Sequence, residues 1–402
     1  MEYASGAVLQ ASRGDDDPPH GWPPSGGKKR GRDPRWAQLL VIFGALLMMG
    51  AGGAIVVEKV AISEATRNIK QQDLLGDQGV QSQNKGHVTI NGAKNILLVG
   101  LDNRPGQNPN DLVRADSIIV LHIAASHDRA YLISIPRDTW VHIPAFTKTK
   151  FQGQDDKINS AFAYGNTNGG GPAGGVELLA KTIKTLWNIS FDAAAIVDFT
   201  GFQKVVNVLG GVCMTIDEKT ISVHIGTNNK TGRYAMPYKI SATTGRVEYK
   251  VPGTTPKVYE KGYQCLQPWE ALDFVRQREL LPNGDYDRER HQQQFIKAIF
   301  KKILSADTLT NPIKLNKVLA VVGQSMTVST GGISIADWAF AMRNIGANDM
   351  VTIKTNNGTF HKSTVNSGAE ALDDNTLALL GAVRDDAVDQ FVLDHPTLVT
   401  KS

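Results

Sequence analysis

The chain has 402 residues and a formal net charge of +4, with 43 Lys and Arg against 39 Asp and Glu. That balance is too mild to argue for a nucleic-acid partner, while the length allows a sizeable core in one large domain or two ordinary ones. Of the two cysteines, Cys213 and Cys265, neither has a Cys or His at ligand spacing, which argues against a thiolate metal site.

Residues 1–35 begin with a tail rich in Gly, Pro, Ser and Asp, which reads as disordered. Lys28, Lys29, Arg30, Arg32 and Arg35 then precede an uncharged run of 22 residues from Trp36 to Val57. This is the length of a helix that spans a bilayer, and its basic flank places the N-terminus in the cytoplasm. A cleaved signal peptide is the competing reading, with Ala61-Ile-Ser63 as a small-residue cleavage site. The long polar tail and the full-length apolar run favour an uncleaved anchor. On either reading the chain from residue 58 onward is exported. In an oxidising compartment Cys213 and Cys265 are candidates for one disulfide.

Residues 58–90 are polar and Gln-rich and read as an extracellular stalk, with the folded part starting near Val88. Asn95–Leu101 is almost wholly apolar, as a strand buried on both faces would be. Ser117–Ala125 and Arg129–Ile135 read as two strands joined by a turn at Ser126–Asp128. Val176, Leu179, Ile183 and Leu186 recur at helical spacing, and Phe199–Leu209 is a second helix, ended by Gly210-Gly211. Val212–Ile216 reads as a strand and 218–262 as an irregular hairpin region. Further helices are expected near 311–321, 334–345, 373–382 and 385–393, and a strand at Met350–Lys354. Alternating strands and helices imply an α/β or mixed sandwich. With no repeat or composition break, 91–395 is one domain, followed by a short tail, 396–402.

Two carboxylates, Asp102 and Asp116, stand at the ends of predicted strands, where sites collect in α/β sheets. Such a pair suits Mg²⁺, which keeps waters and completes its shell with substrate phosphate. Mn²⁺ is an alternative, and either Asp taken singly reads first as a turn cap. Arg104, Arg114 and Arg137-Asp138 fall at neighbouring strand ends. Lys157 either joins them or balances Asp155 and Asp156.

The densest cluster is Asp273–Phe295, with Arg276, Arg278, Arg288 and Arg290 around a Pro-Asn-Gly turn. A helix starting at Asp285 puts Arg288, Gln292, Ile296, Ile299 and Ile303 on one stripe, whose apolar half must face the core. Arg288 and Gln292 then face inward at a helix N-terminus, where anions are favoured. Arg290 falls about 200° away, toward solvent. Arg276 and Arg278 share a ligand only if the preceding helix ends beside them. A solvated pair of helices, its arginines matched by Glu279, Asp285, Asp287 and Glu289, is the alternative.

Asn95–Asp102, Arg114–Ser117, Ser134–Thr139, Lys157–Ala161, Phe274–Arg278 and Gly284–Gln293 together resemble the motifs of the LytR-CpsA-Psr cell-wall glycopolymer transferases. The cysteine pair points to an actinobacterial relative. The resemblance covers about Asn95 to Phe295. It implies a central mixed sheet flanked by helices, with a hydrophobic groove for a lipid. It also implies Mg²⁺-dependent transfer of a glycopolymer, with its phosphate, from a polyprenyl-pyrophosphate carrier to a peptidoglycan hydroxyl. Asp102 and Asp116 would hold the metal, and Arg114, Arg137, Arg276, Arg278, Arg288 and Gln292 would grip the phosphates. Asp285 would be a further site acid, and Arg137 would act at the reacting phosphate. Apart from the resemblance, Asp138 is a candidate to deprotonate the acceptor hydroxyl, or else a structural partner of an arginine. His291 stands where the family commonly has a basic residue, and 218–262 matches no specific motif. A lipid-pyrophosphate hydrolase and a non-catalytic polyanion-binding module are the alternative functions.

Overall fold

The computed structural model describes residues 70–79, 90–101, 113–241, 246–303, 317, 320–321, 326–333, 337–338, 341–342 and 344–400. The predicted membrane span at 36–57, Asp102 and Arg104 lie outside these residues. No helix among the described residues is long and apolar enough to cross a membrane.

Sixteen strands are described: β1 (Lys70–Gln71), β2 (Lys94–Leu101), β3 (Ala115–Ile123), β4 (Ala130–Ser134), β5 (Trp140–Ile143), β6 (Gln154–Lys157), β7 (Ala193–Asp198), β8 (Val212–Ile216), β9 (Thr220–Asn228), β10 (Tyr234–Ala235), β11 (Tyr238–Ile240), β12 (Val247–Lys250), β13 (Thr254–Tyr259), β14 (Gly262–Leu266), β15 (Met326–Ser329) and β16 (Met350–Ile353). The helices that matter here are α1 (Asn159–Asn166), α2 (Gly171–Trp187), α3 (Phe199–Val208), α4 (Pro268–Phe274), α5 (Asp285–Ile303), α6 (Asp374–Arg384) and α7 (Val388–Asp394).

Seven strands form a central mixed sheet in the order β1-β15-β7-β2-β3-β4-β16. Strand β2 runs antiparallel to β3 and parallel to β7. Side chains alternate across a strand, so β2 sends Leu97, Val99 and Leu101 into the main core, against Val176, Leu179 and Ile183 of α2 and Leu379, Leu380 and Val383 of α6. On its other face Leu98, with Ile119 and Leu132, meets Ile296 and Phe300 of α5. Helices therefore cover both faces of the sheet. The covering is unequal: Leu97 and Val99 are fully buried, whereas Ile96 and Leu98 are only half-buried, so β2 is not sealed on both sides as its apolar run suggests. A second core joins α3, α4, α5 and β8 through Val206, Val212, Phe274 and Phe295.

Several elements depart from the sequence-based expectations, among them the expected tail, whose Val399 bridges to Ile353 of β16. Strand β7 was not expected, because its Ala-Ala-Ala opening has low strand propensity; it nonetheless pairs with both β2 and β15. Helix α1 crosses α2 at glycines, where a Cβ on Gly165 would stand 2.2 Å from the Gly174 carbonyl oxygen. Part of the expected stalk is sewn into the fold. Lys70 and Gln71 pair with β15, and Leu74 and Leu75, an apolar pair in a polar stretch, are buried in the main core.

Candidate functional site: an arginine-lined cleft

The site is assembled where β3 begins, where the chain leaves β4, and where α4 gives way to α5. Helix α4 ends at Phe274, and the amides of Arg276 and Gln277 bond back to the Asp273 and Phe274 carbonyls. This tight exit turns Gln277 into the interior while Arg276 and Arg278 line a cleft. Gly284, at φ 55°, reverses the chain, and Asp285 begins α5, as its stripe of residues predicts. The Asp287 carboxylate accepts from the Asn283 amide at 2.8 Å and so closes the turn.

The cleft has a volume of about 1380 Å³. Arg114, Asp116, Arg137, Asp138, Arg276, Arg278, Asp285, Arg288 and Gln292 all line it. Among the described residues on its wall, six arginines and one lysine face four carboxylates. At the centre, Arg137 bridges Asp116 Oδ1 at 2.6 Å and Asp285 Oδ2 at 2.9 Å, with Asp138 at 3.8 Å. Asp285 in turn meets Arg288 at 2.9 Å and Arg278 at 3.5 Å through Oδ1. Lys157 pairs with Asp138 at 3.0 Å rather than with Asp155 or Asp156.

Burial alone would raise the Asp285 carboxyl, but Arg288, Arg137 and Arg278 outweigh it and hold the group below the usual carboxylate range. Burial opposes the Arg137 charge too, yet Asp285, Asp116 and Asp138 raise its pKa. Arg288 is different. It is 6% exposed, and burial together with the Arg137 charge lowers its pKa. Its Nε is a buried donor with no hydrogen-bond partner. A buried guanidinium left short of acceptors is costly, and an anionic oxygen in the cleft would relieve it. Gln292 stands one turn further along α5, its Oε1 also buried without a partner.

Arg290 does not face solvent. Its side chain is 18% exposed and meets Asp287 at 2.5 Å and Asp217 at 2.8 Å, with Glu218 also in contact. It is away from the cleft, but the tip of the β8–β9 turn covers it, a long-range contact that helical periodicity cannot reveal. His291 is fully buried and stacked on Phe274, so it is not a phosphate contact. Burial, then the adjacent Arg290, lowers its pKa to about 4 and keeps it neutral.

Of the expected metal ligands, only Asp116 is among the described residues. It offers a hard carboxylate oxygen at the cleft wall, a donor type that fits Mg²⁺. Cys213 and Cys265 face each other across the β8–β14 ladder and are joined as a disulfide. The region 218–262 forms small antiparallel sheets and supplies Val223, His224, Met236, Ile240, Ser241 and Arg246 to the cleft wall. Sequence reading singled out none of these six.

The "Polyisoprenyl-teichoic acid--peptidoglycan teichoic acid transferase TagU" of Oceanobacillus iheyensis is 28% identical to this chain over 299 residues, covering 74% of this chain and 78% of that protein. "Cell wall biosynthesis protein LcpA" of Corynebacterium glutamicum is 26% identical over 348 residues, covering 80% of this chain and 60% of that one. Protein gbs0355 from Streptococcus agalactiae shares the fold, with a TM-score of 0.53 at 21% identity over 74% of this chain and 88% of its own. The model of the LytR_cpsA_psr family matches residues 57–378, and the chain belongs to that family.

Proposed function

We propose that this protein is a membrane-anchored extracellular phosphotransferase, moving a glycopolymer from a polyprenyl-pyrophosphate carrier onto peptidoglycan through a phosphodiester bond. That it is a transferase of cell-wall polymer follows from its family. The finer reading is carried by one observation, the cleft in which seven cationic side chains meet four carboxylates around the under-partnered Arg288. A diphosphate matches that surplus, each charged hydrogen bond contributing about 1.5–3 kcal/mol.

In this reading Arg137, Arg278 and Arg288 hold the diphosphate, and Asp285 fixes all three guanidinium groups before substrate arrives. Preorganised cations of this kind stabilise charge that develops on the leaving polyprenyl phosphate. The N-terminus of α5, which carries Asp285 and Arg288, adds its dipole in the same sense. Mg²⁺, with Mn²⁺ as a substitute, would be held by Asp102 and Asp116 and would supply further charge neutralisation. The apolar run at 36–57 would anchor the chain with its N-terminus in the cytoplasm, keeping the cleft outside the cell where carrier and peptidoglycan meet.

The test is a transfer assay with full-length protein, a polyprenyl-pyrophosphate-linked glycan, peptidoglycan and Mg²⁺. Phosphodiester-linked product that forms only with acceptor present, and stops on chelation, is expected. Release of free glycan phosphate at the same rate without acceptor would instead identify a hydrolase. No turnover, with salt-sensitive polymer binding, would leave a binding module.

A further inference from the structure

A transfer to a hydroxyl needs a group that takes the hydroxyl's proton, and the carboxylates of the cleft are poorly placed for it. Asp116 is held by Arg137, Asp138 by Lys157, Glu279 by Arg278, and Asp285 by three arginines. Each is already engaged by at least one cation, which occupies carboxylate oxygens that an acceptor hydroxyl would need. His224 of β9 also lines the cleft, about a third exposed and the one histidine among the described residues there.

The His224 Nδ1 lies 3.3 Å from Oδ1 of Asp273, whose side chain is 3% exposed. Gln277 braces the pair from the side. Its Nε2 donates to the Asp273 carbonyl at 2.9 Å and to Asp273 Oδ1 at 2.8 Å, and its Oε1 accepts from the Val223 amide at 2.9 Å. The same Nε2 also lies 3.2 Å from His224 Nδ1, a longer approach than its two contacts to Asp273, which use both of its protons. The buried Asp273 carboxylate, 3.3 Å from Nδ1, favours the tautomer with the proton on Nδ1, which leaves the Nε2 lone pair free. Tyr259, whose hydroxyl donates to Asp273 Oδ2 at 2.8 Å, fixes the other carboxylate oxygen. The Tyr234 hydroxyl donates to the His224 carbonyl at 3.0 Å and steadies the strand. Gln277 also lies between Arg276 and Arg278 in the chain, so one short segment carries two phosphate-facing arginines and the brace of the histidine.

We infer that His224, oriented by Asp273 and Gln277, is the general base that deprotonates the acceptor sugar hydroxyl; this rests on the transferase reading above. As the hydroxyl oxygen bonds to the glycan-side phosphorus, the bond from that phosphorus to the bridging oxygen breaks. Polyprenyl phosphate leaves with the bridging oxygen. The hydroxyl proton passes to Nε2, the resulting imidazolium is stabilised by Asp273, and the proton then moves to the departing phosphate or to water. Other charges on the elements around the ring are Arg276, Arg278 and Arg246, which share the cleft, and Glu270, which is tied to Lys257 at 2.6 Å.

The experiment compares full-length wild type, His224→Gln and His224→Ala in the transfer assay from pH 5 to 9, with thermal melts as a folding control. In wild type, kcat/KM is expected to fall on the acid side. His224→Gln is expected to lose transfer by about 100-fold or more, to abolish that acid limb, and to leave KM for the lipid substrate within about twofold. Added imidazole is expected to restore part of the His224→Ala rate, which a structural role would not permit. Wild-type rate and an unchanged acid limb in His224→Gln would overturn the assignment while leaving the transferase reading intact. Absence of any transfer by wild type would overturn both.

Discussion

Arg288 and Glu289 are chain neighbours on α5 with opposite electrostatic fates. Arg288 turns to the cleft with a buried, unpartnered Nε, and Asp285 keeps two other arginines when it is lost. Arg288→Ala should therefore fold normally yet lower transfer by about 100-fold, close to 3 kcal/mol of lost charge stabilisation. Arg288→Lys should recover only part of this, because an ammonium lacks the planar fork; a steady-state assay with melting curves separates the cases. Glu289 turns away from solvent into the protein and is 7% exposed. Burial raises its pKa to about 8, against a partial offset from Arg288. A raised carboxyl is protonated in the folded chain but ionised in the unfolded one, so its contribution is fully present below the unfolded pKa of about 4.3 and is lost as pH rises through about 8. Glu370, raised to about 7 by burial, acts in the same direction. Glu289→Gln should flatten the decline of the melting temperature between pH 5 and 8.5, and a decline as steep as wild type would show that Glu289 is ionised in the fold.

At the scale of elements, α5 was legible because a period of 3.6 residues fixes which side chains share a face, and that logic placed Asp285, Arg288 and Gln292 correctly around the helix. It failed for Arg290, since the turn after β8 reaches across from 72 residues away to Glu218 and covers the supposed solvent face. Arg290 is thus a structural cation for Asp287, whose side chain is 1% exposed. Arg290→Ala should cost about 3 kcal/mol in urea denaturation by leaving that buried carboxylate without a cation. It should lower activity only through the amount of folded protein. Strand β7 was hidden for a different reason. Its alanines carry little propensity, and its place is set by pairing with β2 and β15 on either side. The docking of 70–79 was equally hidden, because two leucines in a polar stretch gain meaning only when Leu74 and Leu75 find the core.

Across the whole molecule, the cleft draws on the start of β3, the exit from β4, the α4–α5 junction and the small sheets between β9 and β13. The motifs made the first three readable, since charged residues gathered at strand and helix ends point to a site rather than to a core. The last was opaque: β9 presents its histidine through pairing with β10 and β13, and nothing local in the sequence indicates where that module lies. What ties the module to the site is the ribbon of β8 and β14, five paired residues long, with Cys213 opposite Cys265. Leu266 at its end leads within two residues to Pro268 and α4, and so to Asp273, Arg276 and Gln277. The bond spans a sequence separation of 52, so removing it should release unfolded-chain entropy worth about 2–4 kcal/mol. A Cys213→Ser/Cys265→Ser double variant should accordingly unfold at lower urea, with a somewhat larger m-value because the unfolded chain expands. Neither cysteine lines the cleft, and the backbone ladder still holds the ribbon, so kcat at 25 °C should stay near wild type. A large fall in kcat with the urea midpoint unchanged would mean that the bond sets the position of α4 rather than the stability of the fold.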